Sequence, residues 1–208
     1  LILDQDILRV HPEQAMLQAF AAGVRFFQYR NKSGPRRLIW KTAHLLAQTA
    51  RQVEALFIVN DHADIAMAIN ADGVHLGQDD LPIEVVRKLI GREKVIGIST
   101  HSVEQAVDAE RSGADYIGFG PMFSTTTKAI GAVQGIENLK IIRQTITTPI
   151  IAIGGINHAN AAEVISSGAN GVAVISAILS AYDLQQAASE MIRILAKAGT
   201  DNPEVRRG

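Results

Sequence analysis

Short apolar, β-branched runs alternate along this chain with stretches whose apolar positions recur every three or four residues. The runs predict strands at residues 1–3, 24–29, 56–60, 73–76, 95–99, 116–120, 150–153 and 171–175. The longer period predicts helices at 12–22, 35–52, 63–70, 83–90, 103–112, 136–145, 159–167 and 184–197. Pro12, Pro35 and Pro82 stand near predicted helix starts, where a missing N–H goes unfelt. Gly23, Gly113 and Gly168 follow predicted helix ends, where a left-handed residue is wanted. Most of the strands are apolar throughout, as both-faced burial requires. Eight strands alternating with eight helices read as a (β/α)₈ TIM barrel of the α/β class. A single domain is expected over residues 1–197, with a polar tail at 198–208. A doubly wound open sheet is the alternative, but it usually has fewer strands and no paired glycine motif after the last two.

In such a chain the strand C-termini emerge at one face, so polar groups distant in sequence converge there. Seven segments qualify: "QYRNK", "VNDH", "HLGQDD", "GIST", "GPMFSTTTK", "AIGG" and "VIS". In the first, alternation puts Gln28, Arg30 and Lys32 on one side, and two cations at a barrel mouth suit a diphosphate or a carboxylate. Asp61 and Asp80 could each merely cap the following helix. Taken together, two carboxylates at adjacent strand ends beside Arg30 and Lys32 suit Mg²⁺, which takes one or two carboxylates, waters and phosphate oxygens. Ser99 offers a hydroxyl at the end of the fifth strand. Thr125, Thr127 and Lys128 lie in the longest connection, residues 120–135, where a substrate-covering lid is expected. Gly154 and Gly155 let backbone N–H groups approach an anion, and Ile175 and Ser176 open the short segment "SAIL". Phosphate sites after the seventh and eighth strands recur in such barrels. His75 reads as a hydrogen-bonded structural histidine, and His62 and His101 as helix-start or surface residues.

Composition narrows the partners. The formal net charge of −1 gives no general pull on nucleic acid or membrane. Cysteine is absent, which excludes thiolate metal sites and cysteine nucleophiles. No apolar run reaches transmembrane length and no secretory pattern opens the chain, so a cytoplasmic enzyme with small-molecule substrates is expected. A homo-oligomer is allowed. Leu1 is not an initiator residue, and a few native residues are expected to precede it.

The ordered set "QYRNK…ND…GQDD…GIST…GPMFSTTTK…AIGGI…VIS" resembles thiamin phosphate synthases over essentially the whole chain. Each motif alone is weak; the order and spacing are specific. The resemblance implies an enzyme joining 4-amino-5-hydroxymethyl-2-methylpyrimidine diphosphate to thiazole phosphate, with Mg²⁺ as cofactor. It implies pyrimidine diphosphate contacts from the 28–32 segment (Gln28, Tyr29, Arg30, Asn31, Lys32) and from Asn60, Ser99 and Lys128. Asp61 and Asp80 look like the Mg²⁺ ligands. Thr125, Thr126, Thr127, Gly155, Ile175 and Ser176 look like the thiazole phosphate contacts. Arg30, Lys32, Lys128 and Ser99 are the expected catalytic groups of a dissociative reaction, which needs no protein nucleophile. The related thiazole tautomerase is the nearest competitor. Its catalytic histidine falls in the "FGPMF" segment, where this chain has Pro121, and proline transfers no proton.

Overall fold

A computed structural model describes residues 1–124 and 133–200. Each strand is followed by a helix: β1 (Ile2–Asp4), α1 (Pro12–Ala21), β2 (Phe26–Arg30), α2 (Arg36–Gln52), β3 (Leu56–Asn60), α3 (Ala63–Ala68), β4 (Gly73–Leu76) and α4 (Ile83–Ile90). The second half repeats the pattern: β5 (Val95–Thr100), α5 (Val103–Arg111), β6 (Tyr116–Phe119), α6 (Gly135–Thr145), β7 (Ile150–Ile153), α7 (Ala161–Ser166) and β8 (Gly171–Ala173), then α8 (Ser176–Leu179) and α9 (Leu184–Thr200). Neighbouring strands pair in parallel in the order β1 to β8. The Ile2 N–H donates to the Val174 carbonyl at 3.1 Å and draws the ends of the sheet together. The expected barrel is therefore present.

Many boundaries shift by one to three residues from expectation, β8 for example ending at Ala173; three differences stand out. β2 begins at Phe26, since the Val24 N–H is still bonded back to the Ala19 carbonyl of α1 at 3.0 Å. "SAIL" forms a turn of helix, α8, in its own right. α9 runs to Thr200, so residues 198–200, assigned to the tail, are helical; the remaining tail, 201–208, lies outside the described residues.

The two faces of each strand do different work. Outward side chains such as Leu3, Phe27, Phe57, Val74, Ile96 and Ile117 are fully buried against the helix layer, each contributing about 1.5–3 kcal/mol of transfer free energy. Inward positions carry most of the polar groups. The register sets Asp4 opposite Arg30, Asn60 opposite His75, and Ser99 opposite Gly118. Among the described residues no helix is long and apolar enough to cross a membrane.

At the opposite end of the barrel one carboxylate ties α5 to β7. Glu110 Oε1 accepts from the backbone N–H and the hydroxyl of both Thr147 and Thr148, at 2.6–3.0 Å. The Thr148 N–H leads the set of donors that hold its pKa down at about 2. A depressed carboxylate pKa stabilises the fold fully above the ordinary value of 4.5 and loses that contribution as the pH falls toward about 2. Glu110→Gln is expected to cost on the order of 1 kcal/mol at neutral pH after solvent screening, and to flatten the acid limb of a pH-dependent melting series. An unchanged acid limb would show that these four contacts carry no net stability.

Candidate active site

The C-terminal ends of the strands open onto a cavity of about 770 Å³ that runs down the barrel interior and past β8 to α9. Of the predicted site residues that are described, Gln28, Arg30, Asn60, Ser99, Gly155, Ile175 and Ser176 line it. Thr125, Thr126, Thr127 and Lys128 lie outside the described residues.

One side of the mouth carries charge. The Arg30 guanidinium is ion-paired with Asp4, which is 1% exposed. Asp4 also accepts from the Asp6 N–H at 3.0 Å, so the carboxylate is anchored before it meets the guanidinium. Lys32, half-exposed just beyond β2, places its Nζ 3.0 Å from Asp61 Oδ2. Asp61 has a left-handed backbone, φ +63°, directly after β3, and its N–H donates to the His75 carbonyl at 2.8 Å. That conformation is uncommon outside glycine and is tolerated best by Asp and Asn. It swings the carboxylate toward Lys32 and away from α3, whose N-cap is His62 with no side-chain cap. Asp80 likewise does not cap α4. Its Oδ2 accepts from the Gly77 N–H at 2.7 Å. Burial, followed by the nearby negative charge of Asp61, lifts the Asp80 pKa above the ordinary carboxylate value, against the pull of the Gly77 N–H and Lys32. The capping alternative fails for both residues, and the two carboxylates meet.

The other side offers backbone. Gly154 and Gly155 have φ of +96° and +67° in succession. A Cβ on Gly155 would sit 2.7 Å from the Ser124 carbonyl oxygen, and one on Gly154 would sit 2.7 Å from Pro121 Cα. Asn160 fixes the turn by donating to the Gly155 carbonyl at 3.1 Å. Ile175 and Ser176, at the start of α8, stand on the next strand end.

Tyr29 and Asn31 do not reach the cavity. They alternate with the inward residues, so Tyr29 is buried in the outer layer with its hydroxyl on Gln5 Oε1, 3.0 Å away. Asn31 donates to Tyr29 at 3.2 Å and accepts from the Gly34 N–H at 2.8 Å, closing the loop before α2. These two serve the segment that presents Arg30 and Lys32.

Asp4, His75 and Tyr116 line or support the site and were not among the expected functional residues. Asp4 ends an apolar run as the other site residues do, so a signal was present. His75 Nδ1 lies 2.7 Å from the Tyr116 hydroxyl and Nε2 lies 3.0 Å from Ser99 Oγ. His101 Nδ1 donates to the Gly120 carbonyl at 2.6 Å.

Comparison with known proteins places this architecture. The family model described as thiamine monophosphate synthase matches residues 1–178. The chain is 43% identical over 192 residues to the thiamine-phosphate synthase of Chloroflexus aurantiacus, covering 91% of this chain and 88% of that protein. It is 42% identical over 188 residues to the thiamine-phosphate synthase of Pyrococcus furiosus, covering 90% of each. A solved thiamine phosphate pyrophosphorylase from Pyrococcus furiosus superposes with a TM-score of 0.87 at 38% identity, over 95% of both chains. The barrel, the charged rim and these relatives agree: the chain belongs to the thiamine monophosphate synthase family and is an enzyme of the transferase class.

Proposed function

We propose that this enzyme joins 4-amino-5-hydroxymethyl-2-methylpyrimidine diphosphate to thiazole phosphate, or to its carboxylate, giving thiamin phosphate and diphosphate, with CO₂ released in the second case. The observation that carries the assignment of parts is the two-sided mouth. Arg30, Lys32, Asp61 and Asp80 form a charged wall on β2 to β4, and the Gly154–Gly155 turn lies across the barrel on β7. One side suits a diphosphate and the other a single phosphate.

The C–O bond between the pyrimidine methylene and the diphosphate breaks first, and the electron pair leaves with the diphosphate. The ring amino group releases electrons to the cation that remains, and the thiazole nitrogen then forms the new C–N bond. Arg30 and Lys32, with Lys128, stabilise the charge that develops on the leaving oxygens. Asp4 holds the Arg30 fork, so its orientation is set before substrate arrives. Asn60 and Ser99 position the pyrimidine, and Gly155, Ile175, Ser176 and the threonines 125–127 receive the thiazole phosphate. The closeness of Asp61 and Asp80, with hard oxygen donors and one carboxylate held by a loop N–H, fits a divalent cation. Mg²⁺ at these residues would supply counter-charge for the diphosphate. The partners are small molecules, with no role for nucleic acid or membrane, in the cytoplasm; a homo-oligomer is compatible with this reading.

The test is turnover by purified protein with both substrates, with and without Mg²⁺, scored as thiamin phosphate formed. Mg²⁺-dependent product is the expected result. Binding of thiazole phosphate with no product would move the reading to the tautomerase. Gly155→Ala is expected to raise KM for thiazole phosphate about tenfold or more and to leave KM for the pyrimidine diphosphate unchanged. Equal effects on both constants would remove the 154–155 turn from the thiazole phosphate site.

A further inference from the structure

The outer surface of α4 carries an apolar stripe that its own barrel does not cover. The inner side of the helix, Ile83 and Val86, is buried in the core. Leu81, the residue before the Pro82 cap, and Val85 and Leu89 within the helix recur every four residues. They are 53%, 42% and 49% exposed. Residues four apart form one ridge along a helix. Met67, on α3, which packs beside α4, is 54% exposed. Four side chains of this size, half uncovered, present roughly 400 Å² of apolar surface, the extent at which a patch marks a contact face.

Charge follows one edge of the stripe. Glu84 and Lys88 are both exposed, and at 100° per residue they fall on the same side of Val85. They stand four apart with the acid first, the order that favours a pair within a helix. Yet neither is in an ion pair among the described residues. Both heads are therefore available to a molecule seated on the stripe. A membrane surface calls for a basic edge, and here one acid and one base cancel. An unrelated protein would impose no symmetry on the face, whereas Leu, Val, Leu reads alike in both directions.

We propose that α4 is the two-fold contact of a homodimer, packed antiparallel on α4 of a second copy with the axis at Val85. That axis sets Leu81 on the partner's Leu89 and Val85 on the partner's Val85. It brings Glu84 within about two residues' rise of the partner's Lys88. Two such opposite-charge approaches outnumber the single approach of Glu84 to the partner's Glu84. Ridges of residues four apart interlock at a crossing of about −50°, the commonest class of helix packing. A stable dimer buries about 800 Å² on each partner, apolar at the centre and polar at the rim. The stripe with Met67 supplies roughly half of that area as the centre, and the charged edge belongs to the rim.

Equilibrium sedimentation of the whole chain tests this. Wild type at micromolar concentration should sediment at twice the 22.4 kDa of the chain. Val85→Asp should give monomers with an unchanged circular dichroism spectrum, because Val85 lies at the surface. Glu84→Lys leaves only positive charge at the edge and Lys88→Glu only negative, so each alone should dimerise about tenfold or more weakly. Mixed in equal amounts, the two should recover wild-type affinity as a heterodimer, a rescue that damage to the fold would not give. The chain has no cysteine, so Val85→Cys supplies its only thiol. Diamide, a two-electron oxidant, should then join two chains through one disulfide, since the axis brings the two Cβ atoms together. Ile141→Cys on α6, where the residue is 48% exposed, should stay single under the same treatment. A monomeric wild type overturns the proposal. So does a dimer that survives Val85→Asp, or a pair of charge variants that stay apart when mixed.

Discussion

Arg30→Ala is expected to lower kcat about 10²–10³-fold, because in the proposed reaction it removes one preorganised donor from the departing diphosphate, worth about 3–4 kcal/mol. The same change strands Asp4, a carboxylate that is 1% exposed and ion-paired to this guanidinium. Removing one partner of a buried pair typically costs about 3–5 kcal/mol of stability, so rate and fold would fall together and the rate alone would be ambiguous. Pairing Arg30→Ala with Asp4→Asn resolves it, since the amide keeps the shape and loses the charge. The double variant should recover most of the melting temperature and none of the kcat. Recovery of both would mean that Arg30 serves the barrel and not the leaving group. Lys32 is half-exposed, and its removal should cost less, since solvent already screens it.

Asp80→Asn should move activity and stability in opposite directions. Thiamin phosphate formation at ordinary Mg²⁺ should fall about 100-fold, the equivalent of about 2–3 kcal/mol of lost charge stabilisation. Excess Mg²⁺ should recover part of it. The metal-free protein should instead become slightly more stable. Asp80 has its pKa raised by burial and by Asp61, so its ionised form weighs against the fold at neutral pH. That cost disappears as the pH falls through the raised value. An amide removes it at every pH and still accepts from the Gly77 N–H. The gain should be less than about 1 kcal/mol once solvent is allowed for, roughly 2 °C in Tm. Loss of stability together with loss of activity would make Asp80 a structural member of the Gly77 loop.

Much of the fold was legible because each strand is short, apolar and followed by a helical period. Gly23, Gly113 and Gly168 do follow the ends of α1, α5 and α7 with positive φ. Alternation put Gln28, Arg30 and Lys32 on one side; Gln28 and Arg30 line the cavity, while Lys32 lies beyond the strand on Asp61. Tyr29 and Asn31, expected as substrate contacts, fall on the other side by the same alternation, which the resemblance had passed over. Asp61 and Asp80 were ambiguous from sequence, since a carboxylate before a helix is usually a cap. What rules out the caps is one local contact and one distant one: the Gly77 N–H, three residues back, donates to Asp80, Lys32 on the neighbouring strand end reaches Asp61, and the two carboxylates come close only when β3 and β4 pair. Asp4 showed only its place at the end of an apolar run; the partner that gives it meaning lies 26 residues away on the next strand. His75 was read as structural, which its two ring contacts bear out. What the sequence could not show is that one of those contacts is Ser99 and that the other is a tyrosine lodged over Gly97.

Between β1 and the end of β8, one backbone hydrogen bond among the described residues, from Ile2 to Val174, joins the edges of the sheet. Every other neighbouring pair is held by a continuous ladder. This seam separates the Asp4–Arg30 arm from Ile175 and Ser176. A staved ring with one thin joint opens there first, and the two ligands proposed for this enzyme would sit on opposite sides of that joint. A molecule spanning both, as the coupled product does, would act as a clasp across it. Loading the protein with product should therefore tighten the ring where its own backbone does least, and release would loosen it again.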